Sequence, residues 1–112
     1  MSNRCVVNVA TGTHYQRGQR RLMEALCGCR VEMWTSEPSA WPQHRDKPYA
    51  FKAYAMEQTA REGSETLLWW DASILPVADM TPLWERIERE GYWFARNGYT
   101  NYEWTADSAY PD

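Results

Sequence analysis

The stretch Thr66-Leu67-Leu68-Trp69-Trp70-Asp71-Ala72-Ser73-Ile74 constrains this chain most. An unbroken apolar run closed by a carboxylate reads as a strand buried on both faces, the kind found in the middle of a helix-covered parallel sheet. Asp71 then emerges at the strand's C-terminal edge, where open α/β sheets bind ligands. An ionised carboxylate left unpaired beside two indoles is costly, so Asp71 is expected to meet a cation, a hydrogen-bond donor or water. A local alternative stands beside this one. Asp-Ala-Ser also forms a simple Asx turn, its carboxylate accepting the backbone N–H two residues on.

The chain before this stretch alternates strand and helix. Arg4 to Ala10 is short and rich in valine, and reads as a first strand. Thr11-Gly12-Thr13 is a tight turn, and Thr13 and Gln16 have the spacing of a capping box for a helix over 14–27. Tyr15, Leu22 and Leu26, with Met23 alongside, form its apolar stripe, and Gly28 stops it. Arg17, Arg20, Arg21 and Glu24 lie on another face, whose ordinary meaning is solvation. A Gly-containing turn at a helix N-terminus also suits a phosphate, and Arg17 would add charge there. Arg30 to Thr35 alternates as a second strand, and the Pro- and Ser-rich segment 36–47 is a loop. Pro48 suits the first turn of a helix running to about Glu62, with Phe51, Tyr54 and Ala55 on its apolar side. Lys52 stands off that stripe, a position more often solvated than functional.

Beyond the central stretch, Thr81-Pro82 reads as an N-cap and first helical position. The helix over 82–90 packs Leu83, Trp84 and Ile87 and stops at Gly91. Tyr92 to Ala95 reads as a further strand, and Asn97-Gly98 as a two-residue hairpin turn. Tyr99 to Trp104 is either the return strand or a loop, and Thr105 to Asp107 resembles a helix cap. The order β-α-β-α-β-α-β predicts right-handed crossovers and a mostly parallel sheet. The turn at 11–13 and Asp71 then share one rim of that sheet.

Composition narrows the partners. The 112 residues make one small domain, with seven Trp and seven Tyr to supply its core. A net charge of -3 argues against a general nucleic-acid binder. Three cysteines, Cys5, Cys27 and Cys29, do not make a disulfide scaffold; reduced thiols in a cytoplasmic protein fit better. Cys27 and Cys29 are too close for a standard zinc knuckle. No run approaches the roughly 20 apolar residues of a membrane span, and no signal peptide is visible.

A carboxylate and Ser73 at a strand end, facing a helix N-terminus, point to Mg²⁺ or Mn²⁺ bridging to a phosphate. Haloacid-dehalogenase-like phosphatases build such a site with Asp-x-Asp, but here the third position is Ser73 and Leu75 replaces the following Thr or Val. The nucleotide-sugar glycosyltransferases of GT-A fold match better. Lys47-Pro48-Tyr49-Ala50-Phe51-Lys52, a helix, and then Leu67 to Ser73 resemble their helix leading into the metal-binding strand. The opening strand, Thr11-Gly12 and the Arg-bearing helix resemble their nucleotide-contacting first unit. Arg96-Asn97-Gly98 through Glu103-Trp104-Thr105-Ala106-Asp107 is similar to a stretch in uncharacterised bacterial and phage members.

The resemblance implies a three-layer α/β/α, Rossmann-like half-domain spanning residues 1–112, incomplete at its C-terminus. It implies that Thr11, Gly12 and Tyr15 line the base and ribose and that Arg17 and Lys52 face the diphosphate. Asp71 and Ser73 would hold a divalent metal, Asp71 alternatively meeting the ribose, and Trp104 and Asp107 would edge the sugar pocket. Ser73 in place of the second Asp weakens that metal site. Such a chain is too short to be active alone. The alternative is a non-catalytic interaction module with the same core, presenting Trp41, Trp104 and Tyr110. A half-fold with a bare sheet edge is expected to self-associate.

Overall fold

The computed structural model describes residues 3–26 and 28–94. The hairpin at 97–98, the segment 99–107, and Glu103, Trp104, Asp107 and Tyr110 lie outside them, as does Cys27.

The buried centre of the sheet is the first strand, β1 (Arg4–Val9). It lies between β2 (Val31–Trp34) and β3 (Thr66–Trp69) in the order β2-β1-β3, parallel to both. Val6 pairs with Val31 on one side and Leu68 on the other. Cys5, Val6, Val7 and Asn8 are fully buried. Among the described residues, then, the run 66–74 is not the central strand. Among the described residues β3 is an edge, and it ends at Trp69 rather than Ile74. Its apolar run has a different cause. Leu68 and Trp70 pack in one cluster and Leu67 and Trp69 in the other, so both faces are covered although one edge is unpaired. Continuous hydrophobicity reports covered faces, not rank within a sheet.

Alternation along β1 sorts the helices. Val6 packs with Leu22 of the first helix, α1 (Thr13–Ala25), with Leu26 just past its end, and with Trp84 and Ile87 from the third, α3 (Thr81–Glu90). Val7 packs instead with Ala55 of α2 (Ala50–Arg61) and with Trp41. The result is an α/β fold with a small parallel sheet and three helices, compatible with a Rossmann-like half-domain. The alternation read from the sequence holds through α3. Residues 92–94 form no strand and are exposed, so that expectation fails where it can be seen.

Helix boundaries depart from expectation for local reasons. Gly12, at φ 86°, is the N-cap of α1, so Thr13 is already helical and no side chain caps this end. The capping box does not form; Gln16 instead donates from Nε2 to the Thr35 carbonyl at 3.1 Å. The buried face of α1 carries Gln19 with Leu22, whereas Tyr15 and Met23 are exposed. In α2 the start moves past Pro48, because Tyr49 adopts a left-handed conformation (φ 62°). Tyr54 is exposed and Thr59 takes a place on the buried face, its hydroxyl donating to the Ala55 carbonyl at 2.8 Å. Trp41 is buried against Trp34 and Tyr54, which removes it from any exposed interface.

At α3 the N-cap position is Met80, one residue ahead of the expected Thr81, and Asp79 before it braces the helix start through its side chain. Its Oδ1 accepts the Thr81 N–H at 3.0 Å and the Thr81 hydroxyl at 2.9 Å. Those two bonds hold the Asp79 carboxyl below its ordinary value, the backbone bond first. A lowered carboxyl pKa stabilises the fold above the unfolded value, about 3.9, and that contribution is lost as the pH falls through the folded value. Asp79→Asn keeps an acceptor without a titrating proton. Its denaturation midpoint is expected to fall less than wild type's between pH 5 and pH 3. Equal acid sensitivity in the two proteins would show that Asp79 does not sense pH.

Candidate functional site

Because all three strands run parallel, their C-terminal ends gather at one rim, with the α1 start, the α2 start and the 71–73 turn around it. A buried polar cluster fixes this rim. Asn8 Nδ2 donates to the Trp70 carbonyl at 2.7 Å. Gln19 Nε2 donates to Asn8 Oδ1 at 2.9 Å and to the Trp34 carbonyl at 2.8 Å. Two side chains thus tie α1 to the ends of all three strands, with their buried amides paired as burial requires.

Beyond Trp70 the main chain turns sharply, the Ile74 N–H bonding the Asp71 carbonyl at 3.1 Å. Helix α1 closes on this turn at Gly18, where a β-carbon would collide with the Ala72 carbonyl oxygen. Nothing larger than glycine lets the two approach so closely.

A pocket of about 280 Å³ opens on the rim. Thr11, Tyr15, Lys52, Asp71 and Ser73 all line it. His44, Tyr49, Phe51 and Trp69 supply its other polar and aromatic walls. A second pocket of about 400 Å³, lined by His14, Arg17 and Arg21, adjoins it and shares Tyr15, Ala72 and Ser73. Gly12 lies between Thr11 and the start of α1 without lining either pocket. Trp104 and Asp107 fall outside the described residues. Together the pockets reach the size of small-ligand clefts, about 300–1,000 Å³.

Asp71 is not buried alone. Its Oδ1 accepts the Trp69 indole N–H at 2.7 Å and stands 3.9 Å from Lys52 Nζ. The side chains of Lys52 and Asp71 remain 41% and 52% exposed, so both face open solvent in the pocket. Lys52 Nζ also lies over the Tyr49 ring at 5.2 Å and the Trp69 ring at 5.5 Å, within cation–π range. The left-handed Tyr49 is held by its own N–H, which donates to His44 Nδ1 at 2.9 Å. That bond assigns the ring's proton to Nε2. His44 stacks edge-on against Tyr49 and Phe51, so the wall is built from neighbouring rings.

Sequence reasoning missed these walls. Trp69 was within reach of it, because strand alternation puts residues 69 and 71 on the same side. The His44–Tyr49 bond joins a loop to a helix start and leaves no local pattern. Cys5 offers no nucleophile: burial pushes its thiol up, and Glu32 adds to the shift.

A larger cavity, about 600 Å³, sits near the N-terminal ends of the strands. Its polar groups have structural work. Arg4 donates to both Glu88 carboxylate oxygens, at 2.6 and 3.0 Å, Arg30 bonds Asn3, and Asp79 accepts the Thr81 N–H. Size alone does not make it the site.

The fold and rim define a class: a small parallel α/β domain with a charged, aromatic-walled ligand pocket at the strand C-termini. No family model, curated protein or solved structure matches the chain. Among the described residues, no helix is long and apolar enough to cross a membrane.

Proposed function

We propose that this chain is a glycosyltransferase-like domain that binds a nucleotide-diphospho-sugar, the donor half of a GT-A-type, three-layer α/β/α fold. One observation carries the reading: Thr11, Tyr15, Lys52, Asp71 and Ser73, from three separate segments, line a single open pocket. Tyr15, Phe51 and Trp69 offer faces for a planar base. Lys52 takes one phosphate, and Arg17 and Arg21 take the other across Ser73. In a complete enzyme these cations would neutralise the departing nucleoside diphosphate, which makes it a better leaving group.

Calorimetric titration with UDP and GDP tests the reading. Binding of at least one is expected. Lys52→Ala should weaken it by about 10- to 100-fold, the loss of a charge-assisted hydrogen bond worth about 1.5–3 kcal/mol. A folded chain that binds neither nucleotide would end the proposal.

A second reading, a self-associating interaction module, has its own support. Ile74, Val77, Tyr92 and Phe94 are exposed, and Val77 is 98% accessible. Strands β2 and β3 each have one unpaired edge among the described residues. A stable oligomer by sedimentation, without nucleotide binding, would favour it.

A further inference from the structure

The resemblance to GT-A enzymes implies a divalent cation at Asp71, but the donor chemistry of the rim does not fit one. Ser73 brings no negative charge. One oxygen of the Asp71 carboxylate, Oδ1, is already engaged by the Trp69 indole N–H and lies 3.9 Å from the Lys52 ammonium. A dication placed on this carboxylate would also meet that ammonium at close range, a repulsion that a half-exposed site screens only in part. Among the described residues, His44 is the other imidazole or carboxylate lining the pocket, and its Nδ1 accepts the Tyr49 N–H. Among the described residues, no three His, Cys, Asp or Glu side chains come together as a metal site.

We infer that Lys52 stands where the cation would be, so that the pocket receives its ligand's phosphate on a fixed ammonium and needs no divalent metal. The geometry suits that task. The Tyr49 and Trp69 rings flank Nζ, and Asp71 pairs with it. Both partners are solvent-facing, so their pairing is weak and a phosphate oxygen can replace the carboxylate at Nζ. A lysine serves here as a compact point charge, which a phosphate accepts without the fork geometry of arginine. Asp71 is then the weak resting partner of Lys52, displaced by the phosphate, rather than a metal ligand.

The inference rests on the nucleotide-binding proposal for its ligand, but it has a test of its own. The full chain is titrated with Mn²⁺ alone, followed by the spin-resonance signal of free Mn²⁺, and then with UDP in EDTA and in excess Mn²⁺. No saturable Mn²⁺ uptake is expected. UDP affinity should agree between EDTA and Mn²⁺ to within about threefold, under 1 kcal/mol. Lys52→Met should lose most UDP affinity in both conditions, and Mn²⁺ should not restore it. Saturable Mn²⁺ binding that disappears in Asp71→Asn would overturn the inference, as would a tenfold gain in UDP affinity with Mn²⁺. If UDP binds under neither condition, the nucleotide proposal fails, and the Mn²⁺ titration still decides whether Asp71 holds a metal.

Discussion

Gly18→Ala is expected to destabilise the protein and blunt ligand binding together, against the usual direction of that substitution. Inside an exposed helix, Gly→Ala stabilises by about 1 kcal/mol. Here the new methyl group would enter the space of the Ala72 carbonyl oxygen. That atom belongs to the main chain, so no rotamer change relieves the clash. Either α1 or the 71–73 turn has to move. Overpacking of this kind costs about 1–3 kcal/mol, so the helix gain is cancelled or exceeded. The turn carries Asp71 and Ser73 and lines both pockets, so displacement should appear as weaker UDP binding as well as a lower denaturation midpoint. Ala72→Gly offers a control. It removes a β-carbon that also lies close to this position but leaves the carbonyl in place, so it should not rescue Gly18→Ala. A Gly18→Ala variant that gains stability and binds UDP normally would show that α1 does not press on the turn.

What could be read in advance divides along physical lines. The strand–helix alternation was legible because β-branched runs and glycine stops act locally: Val6 and Val7 in β1, Gly28 after α1, Gly91 after α3. Much of the pocket was legible too, since parallel strands bring their C-terminal ends together wherever they stand in the sheet. Thr11 and Asp71 meet at one rim even though β3 is an edge among the described residues. Strand rank was not legible. Leu67 to Trp70 are apolar because helices and loops cover both faces, and that pattern carries no information about neighbours along the hydrogen-bonding direction. The polar members of the core were hidden for the opposite reason. Gln19 interrupts the apolar stripe of α1, so periodicity assigned its place to Tyr15, which is 58% exposed. Only the partner atoms on Asn8 and Trp34 explain why an amide is buried there. Gly18 was a similar case, its reason lying in a turn more than fifty residues away.

Asn8→Ala is expected to be among the most damaging single changes, because it opens a hole and breaks a network at once. Asn8 is fully buried, and its amide bridges Gln19 to the Trp70 carbonyl. Removal leaves that carbonyl and one Gln19 hydrogen without their partner. A buried polar group deprived of its bond costs about 1–3 kcal/mol. With the missing volume, a total of about 3–4 kcal/mol is expected, a large share of the 5–15 kcal/mol typical of a domain. Gln19→Met separates the two effects, since it nearly keeps the volume and loses only the hydrogen bonds. Its cost should be smaller, about 2 kcal/mol, because the Trp34 carbonyl still accepts the Ala10 N–H. The double variant should cost less than the sum by about 1 kcal/mol, since the Asn8–Gln19 bond is lost in either single variant and cannot be lost twice. Urea denaturation of the four proteins measures that coupling directly. Strict additivity would mean that the two amides act independently, and that the strand ends bearing the pocket are held by something other than this pair.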